Sequence, residues 1–434
     1  MPRPSLLFAI PFVCISAAAQ VTPVLTGYVT SVGSPGEFMV NAVAVHCLPT
    51  TRLTLLRDGT HLPVQPCPHR SLGEELTIDG KRDKKSDVIT ATAIDGVAPV
   101  QKDVDGFAVI DHIMADHIVT TPDKNGDIRV SADGYFITIP SAVHIAFEAP
   151  LTPQTVVTTN MWLKYAGVQH PDGSVTAKSA SISLNILKGR ERKVNEKAEF
   201  DPTSVTEADK QGAVSKVFLG VNPTRFPATH DAEMQRRVQT IGEALIPAYQ
   251  RDLPDSDPSK IDFRFQVVDQ PKLHDAVTLS NGIILVPQQI VGRLKNDSQV
   301  ATVLADNIAC ALEKQQLRLI PARQAMSAGD VALIVGGAFV PGLGIGGQAG
   351  LVTGAVVIMK REEEQSGRVS LVLLHRAGYD LAEAPTTWWI LGSSKEKPLE
   401  KTGMSARAKY LYRILDTTWH QADQDSPAAA VATR

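Results

Sequence analysis

The sequence predicts a multidomain chain of two tandem small β-barrels, all-β and of OB-like size, followed by an α+β domain. Residues 21–187 alternate Val, Ile and Thr with polar residues and are punctuated by Gly, Pro and Asp, the pattern of short strands and tight turns. That stretch also echoes itself: Gly27-Tyr28-Val29-Thr30 returns as Gly106-Phe107-Ala108-Val109, and Ala44-Val45-His46 as Ala142-Val143-His144. Each second echo follows a Gly-x-Phe start, at Gly36 and at Gly134. Beyond residue 230 the apolar period lengthens to that of helices.

In chain order, residues 1–20 have the form of a Sec-type signal peptide: Arg3, an apolar run over 6–15, then Ala17-Ala18-Ala19. The first barrel spans 21–100 and closes on 88–94; the second spans 101–187 and closes on 175–182. In an oxidising compartment Cys47 and Cys67 would pair and staple the first barrel, two unlinked core cysteines being the alternative. Cys310, inside an apolar helix, is expected as a buried free thiol. His46 and His144 are expected as fold positions. Asp123-Lys124-Asn125-Gly126-Asp127 lacks the remaining calcium-loop residues and predicts a hairpin turn.

Residues 188–230 predict a charged linker, 231–420 the α+β domain and 421–434 a disordered tail. Within the domain, Val238, Ile241, Leu245 and Ile246 line a helix, and 261–268 alternates as a strand. Asn281-Gly282 between two apolar runs marks a hairpin. Asn296, Asp297 and Ser298 then cap an apolar helix over 300–313.

A net charge of −3, 21% charged residues and 5% aromatics exclude a nucleic-acid footprint. The uncharged run 331–359 has the length of a bilayer span, but its eight glycines, Pro341 and Gln348 favour close helix packing, so membrane association is possible and not favoured. Its Gly342-x-Gly344-x-Gly346-Gly347 lacks the context of a dinucleotide fingerprint.

Leu304-Ala305-Asp306-Asn307-Ile308-Ala309-Cys310 resembles the Leu-Ala-His-Glu-Ile-x-His helix of the HtpX-like and CAAX-prenyl-protease-like zinc metallopeptidases, a gluzincin family of H-E-x-x-H type. Two further segments carry the likeness, 275–286 before the helix and Arg376-Ala377-Gly378-Tyr379-Asp380 after it. The resemblance covers about 231–415 and implies a metallopeptidase-like domain. It puts Asp306 and Cys310 at the two His positions, Asn307 at the general base and, counting back from Arg376, Gln365 at the third ligand. All four are changed, and an amide at Asn307 cannot take a proton from bound water.

What this implies is a degenerate site with no metal or other cofactor expected: a pseudoenzyme, exported to the periplasm or secreted, that binds peptides or unfolded envelope proteins. The alternative is an active zinc metalloendopeptidase in envelope protein quality control. In the family, extended substrate adds to the strand before the zinc helix, which puts peptide binding on Ala276, Val277, Thr278 and Leu279. The N-terminal half loosely resembles small β-barrel repeats of secreted bacterial proteins; with 5% aromatics in the chain and no basic stripe here, a structural or partner-binding role is expected for it.

Overall fold

The alternation of period two becomes strand pairing throughout the first half of the chain. A computed structural model describes residues 23–57, 60–63, 70–113, 126–202, 205, 225–318, 349–392 and 398–419. The expected signal peptide over 1–20, Cys67, most of the Asp123–Asp127 turn, residues 331–348 and the expected tail over 421–434 lie outside the described residues.

The first sheet contains β1 (Leu25–Val32), β2 (Glu37–Val40), β3 (Val43–Arg57), β4 (Thr60–Pro63), β5 (Glu75–Arg82) and β6 (Ile89–Val97) in the order β2-β1-β5-β6-β3-β4. β2 also pairs with β3, so the sheet curls back on itself like a barrel. The second contains β7 (Lys102–Ile113), β8 (Ile128–Ala132), β9 (Tyr135–Ile139), β10 (Ile145–Phe147), β11 (Met161–Gln169) and β12 (Val175–Leu184) in the order β10-β12-β11-β7-β8-β9. Here β12 pairs with β9 to close the circuit. In each circuit one ladder is parallel, β3 on β6 and β9 on β12.

The two sheets share their irregularities as well as their order. β1 and β7 both slip register against the next strand, at Val29/Ser31 and at Ile110/His112. β5 and β11 both bulge at a glycine, Gly80 and Gly167, where a Cβ would stand 2.3 Å from the carbonyl oxygen of Thr90 or Thr176. Two-residue turns with positive φ follow β2 and β8: Asn41-Ala42 (49° and 62°) and Asp133-Gly134 (58° and 69°). These equivalences correct the phase of the sequence echo. Val45 pairs with Ile89 where Ile137 pairs with Val175, so the partner of Val45 in the repeat is Ile137 and not Val143. Separate apolar interiors fill the two sheets, around Leu76, Ile78 and Ile89 in one and Ile110, Leu163 and Ile182 in the other.

Cys47 is buried and disulfide-bonded. Its expected partner, Cys67, would close a loop of about twenty residues, worth roughly 3 kcal/mol. Mass mapping of the non-reduced protein is expected to find Cys47 linked to Cys67; both as free thiols would refute the pairing.

The helical half opens with α1 (Gly189–Asn195), then α2 (Ala232–Leu245), capped by Asp231 accepting the Met234 N–H at 2.9 Å. After α3 (Ala248–Arg251) come β13 (Arg264–Val268), β14 (Val277–Thr278) and β15 (Ile283–Pro287), ordered β13-β15-β14. Gly282, at φ 92°, makes the expected hairpin turn. There follow α4 (Gln288–Arg293), α5 (Asp297–Leu312), α6 (Gln315–Arg318), α7 (Ala349–Arg376), α8 (Glu383–Leu391) and α9 (Ala406–Ile414), ending in a π-helical turn, Leu415–Trp419. α5 is the core of this half: Val303, Leu304 and Ile308 are buried against α2, α7 and α8. Among the described residues no helix is long and apolar enough to cross a membrane. The described parts of 188–230 depart from a free linker, because Ala198 and Phe226 are buried with Val277 and Leu279.

Both barrel-like sheets lean on the helical half. The first meets α9 through Tyr28, stacked on Tyr412 with centroids 6.1 Å apart, and through Glu75, 3.2 Å from Arg413. Burial pushes the nearby Asp416 carboxyl up to about 7, and Glu74 adds to the rise. A carboxyl with a raised folded pKa favours the fold at low pH, so its contribution falls as pH climbs from about 4 to about 7, by roughly 4 kcal/mol at most. Asp416→Asn is expected to flatten that fall in thermal unfolding between pH 5 and pH 8. An unchanged slope would assign it to another group.

Candidate functional site

Among the buried polar side chains of α5 are Thr302, Asp306 and Asn307, all at most 6% exposed. Each needs a partner in a medium where an unpaired polar group is costly. Thr302 donates to the Ser298 carbonyl at 2.9 Å. Asn307 donates to the Val303 carbonyl at 2.9 Å, and its Oδ1 accepts the Thr278 hydroxyl at 2.9 Å.

Asp306 is answered from α9. The Arg407 guanidinium forms an ion pair with its carboxylate. The same guanidinium lies over the Trp388 ring of α8, 3.4 Å from the centroid, and its Nε is 3.8 Å from Glu363 of α7. Asp275, just before β14, completes the group. Burial raises its carboxyl to about 6, against the pull of Arg407 and with the push of Asp306. Burial works against the charge on Arg407, but Asp306, Glu363 and Asp275 outweigh it and raise its pKa. Cys310 sits one turn beyond Asp306; burial first and Asp306 second push its thiol well up, while Ser366 supplies a hydrogen bond.

The structure thus brings Asp306 and Cys310 together and adds Asp275, Glu363, Ser366 and Arg407. It does not bring Gln365 to them. The Gln365 amide donates to the Phe107 carbonyl at 3.0 Å and accepts from Arg318 at 3.1 Å, on the face of α7 turned to the second barrel-like sheet. Position 365 therefore does not supply a third group here, because residues 363 and 366 hold the phase that faces α5. Arg407 was missed for want of any local motif. The usable signal was Asp306 itself, since a carboxylate in an apolar helix requires a buried cation.

A catalytic zinc does not fit these residues. The carboxylate at the first ligand position is engaged by a cation built into the chain, and the amide at the base position is spent on Thr278 and Val303. Among the described residues no group of three or more His, Cys, Asp or Glu is placed to hold a metal ion.

The docking strand also differs from expectation. β14 is an edge strand, but Val277, Thr278 and Leu279 are each 3% exposed or less. Ala198, Phe200 and Phe226 pack in the same cluster, and the Asn281 amide donates to the Ala198 carbonyl at 2.6 Å. Val277, Thr278 and Leu279 thus form a covered edge rather than an open one, with Ala276 half-buried beside them.

The outer face of α7 makes a second polar centre. Arg361 reaches Asp105 at 2.6 Å, Arg376 reaches Asp111 at 2.9 Å, and Arg368 pairs with Asp133. Glu313 at the end of α5 accepts the Val109 N–H at 3.2 Å, and burial raises its carboxyl well above the ordinary range. Gln365, Arg368 and Arg376 of α7 are thus three of the residues that fix the second sheet. No known protein family matches the chain, and no curated protein matches it.

Proposed function

We propose that the chain is a non-catalytic binding protein of the cell envelope, exported to the periplasm or secreted, which keeps a metallopeptidase-like frame without its chemistry. Two OB-like barrels are its docking modules, and its partners are peptides or unfolded envelope proteins. The observation that carries this reading is Arg407 among Asp306, Asp275 and Glu363. A guanidinium balances the carboxylates that a metal would otherwise meet, and it can neither lower the pKa of a water nor polarise a carbonyl as zinc does. The Asn307 amide, fixed on Thr278 and Val303, supplies no base. Binding requires neither group.

Elemental analysis of the purified protein, with a casein-cleavage assay, tests the reading. Less than a tenth of a zinc per chain and no chelator-sensitive cleavage are the expected results. One zinc per chain together with cleavage that a chelator abolishes would overturn it in favour of an active peptidase.

A further inference from the structure

Between the second barrel-like sheet and α7 lies a cavity of about 830 Å³. Its floor is the outer face of the sheet. Leu163 and Tyr165 point into the interior, so Lys164 and Ala166 point out. Strand register sets the outward residues in two rows. Lys164 pairs with Phe107 on one side and Ser181 on the other, and Ser181 with Ala146. Ala166 pairs likewise with Asp105 and Ser179. Two Ser and two Ala leave the middle of the floor shallow and hydroxylated, so a main chain can lie close to it. α7 walls the other side with Ile358, Arg361 and Gln365.

The charges of the cavity are nearly all answered. Asp105 has Arg361, Glu362 has Arg318 at 2.7 Å, and Asp133 has Arg368. Asp103 has Lys178 at 2.8 Å, and Glu364 has Lys360 at 3.8 Å. Lys102 and Lys164 remain; among the described residues neither amine is in a hydrogen bond or close ion pair, although Arg368 and Glu364 both act on Lys102 at longer range. Lys102 belongs to the alternate face of β7 and lines the cavity from its rim, five positions along the strand from Phe107, the neighbour of Lys164. At the rise of a strand that is roughly 17 Å, about five residues of extended peptide.

Aromatic rings settle which anion suits the groove. Phe107 is covered by Trp162, centroids 4.5 Å apart, and by Arg318 at 5.4 Å. Tyr135 lies under Arg368 at 4.5 Å. Bases and sugars are held by stacking on open ring faces; the faces of Phe107 and Tyr135 are taken, Tyr165 is buried, and Tyr410 is held at its hydroxyl by Arg368. Hydroxyls, a close floor and two uncommitted cations suit a polypeptide carrying carboxylates.

We infer that this groove binds an extended acidic peptide segment, its carboxylates on Lys102 and Lys164 and its main chain over Ser179 and Ser181. The site deepens the docking role proposed above for the second barrel and stands whether or not the Asp306 centre is catalytic. The test uses the full chain and fluorescein-labelled hexaglutamate, followed by polarisation. Saturable binding is expected, weakened by added salt and at least tenfold weaker in Lys102→Glu/Lys164→Glu, whose thermal unfolding should match the parent. Ser181→Trp, which fills the floor without changing charge, is expected to abolish binding. No saturable binding by the parent would overturn the inference, as would equal binding by the charge-reversed chain or by the folded Ser181→Trp chain. A heparin hexasaccharide that binds more tightly than hexaglutamate would overturn the peptide in favour of an anionic glycan.

Discussion

Replacing Arg368 with methionine is expected to cost about 3–5 kcal/mol, the penalty for stripping one member from a buried ion pair. The loss is large because Arg368 holds four groups at once. Its Nε donates to the Asp133 carbonyl at 2.8 Å and its Nη2 to the Asp133 carboxylate. Nη1 donates to the Tyr410 hydroxyl at 2.6 Å, and the guanidinium covers the Tyr135 ring. Asp133 would be left with the Tyr165 hydroxyl at 2.7 Å as its remaining side-chain donor, its own side chain only 4% exposed. The neighbouring backbone leaves no slack. Gly134 stands at φ 69°, and a Cβ there would lie 2.4 Å from the Cβ of Arg368. Hydrogen exchange of β8 and β9 should rise far more than that of β1, because the pair docks the second sheet alone. Adding Asp133→Asn, which removes the stranded charge and tolerates the left-handed φ of 58°, should recover more than half of the lost stability. A penalty under 1 kcal/mol for Arg368→Met, or no recovery in the double variant, would show that the charge pair is not what fixes this interface.

The elements that local pattern can specify were legible. Asn296 caps its helix as its side chain predicts, and Asn281-Gly282 turns the hairpin. What depends on distant partners was not. The parallel ladders of β3 on β6 and β9 on β12 have no short-range signature, and a Gly-x-Phe motif does not reveal where it sits. Gly36 leads into β2, whereas Gly134 is the second residue of the turn into β9, so the motif matched unlike positions. The candidate centre divides in the same way. The closeness of Asp306 and Cys310 follows from helical spacing. Gln365 was placed by counting along the chain, and a helix turns about 100° per residue, so the phase was lost. Arg407 lies about a hundred residues from Asp306, and only packing brings α9 to α5.

Arg407→Met should therefore be the second costly change, and its cost should depend on pH. Without the guanidinium, Asp306, Asp275 and Glu363 face one another with no cation between them, which is expected to cost about 3–5 kcal/mol at pH 8. Asp275 already titrates near 6 because burial outweighs the pull of Arg407. Removing that pull moves its folded pKa further up, away from an unfolded value of about 3.9. An acid with a raised folded pKa binds its proton more tightly in the native state, so stability falls as pH rises from the unfolded value through the folded one. In the parent this fall lies between about 4 and 6; in the variant it extends above 6. The gap in melting temperature between Arg407→Met and the parent should thus be widest at pH 8 and shrink at pH 5, where protonated Asp275 relieves the repulsion. Arg407→Lys should fall between the two, since an ammonium keeps the charge but not the planar stack on Trp388. Equal gaps at the two pH values would mean that Arg407 acts by packing on Trp388, and that the carboxylates around it do not need its charge.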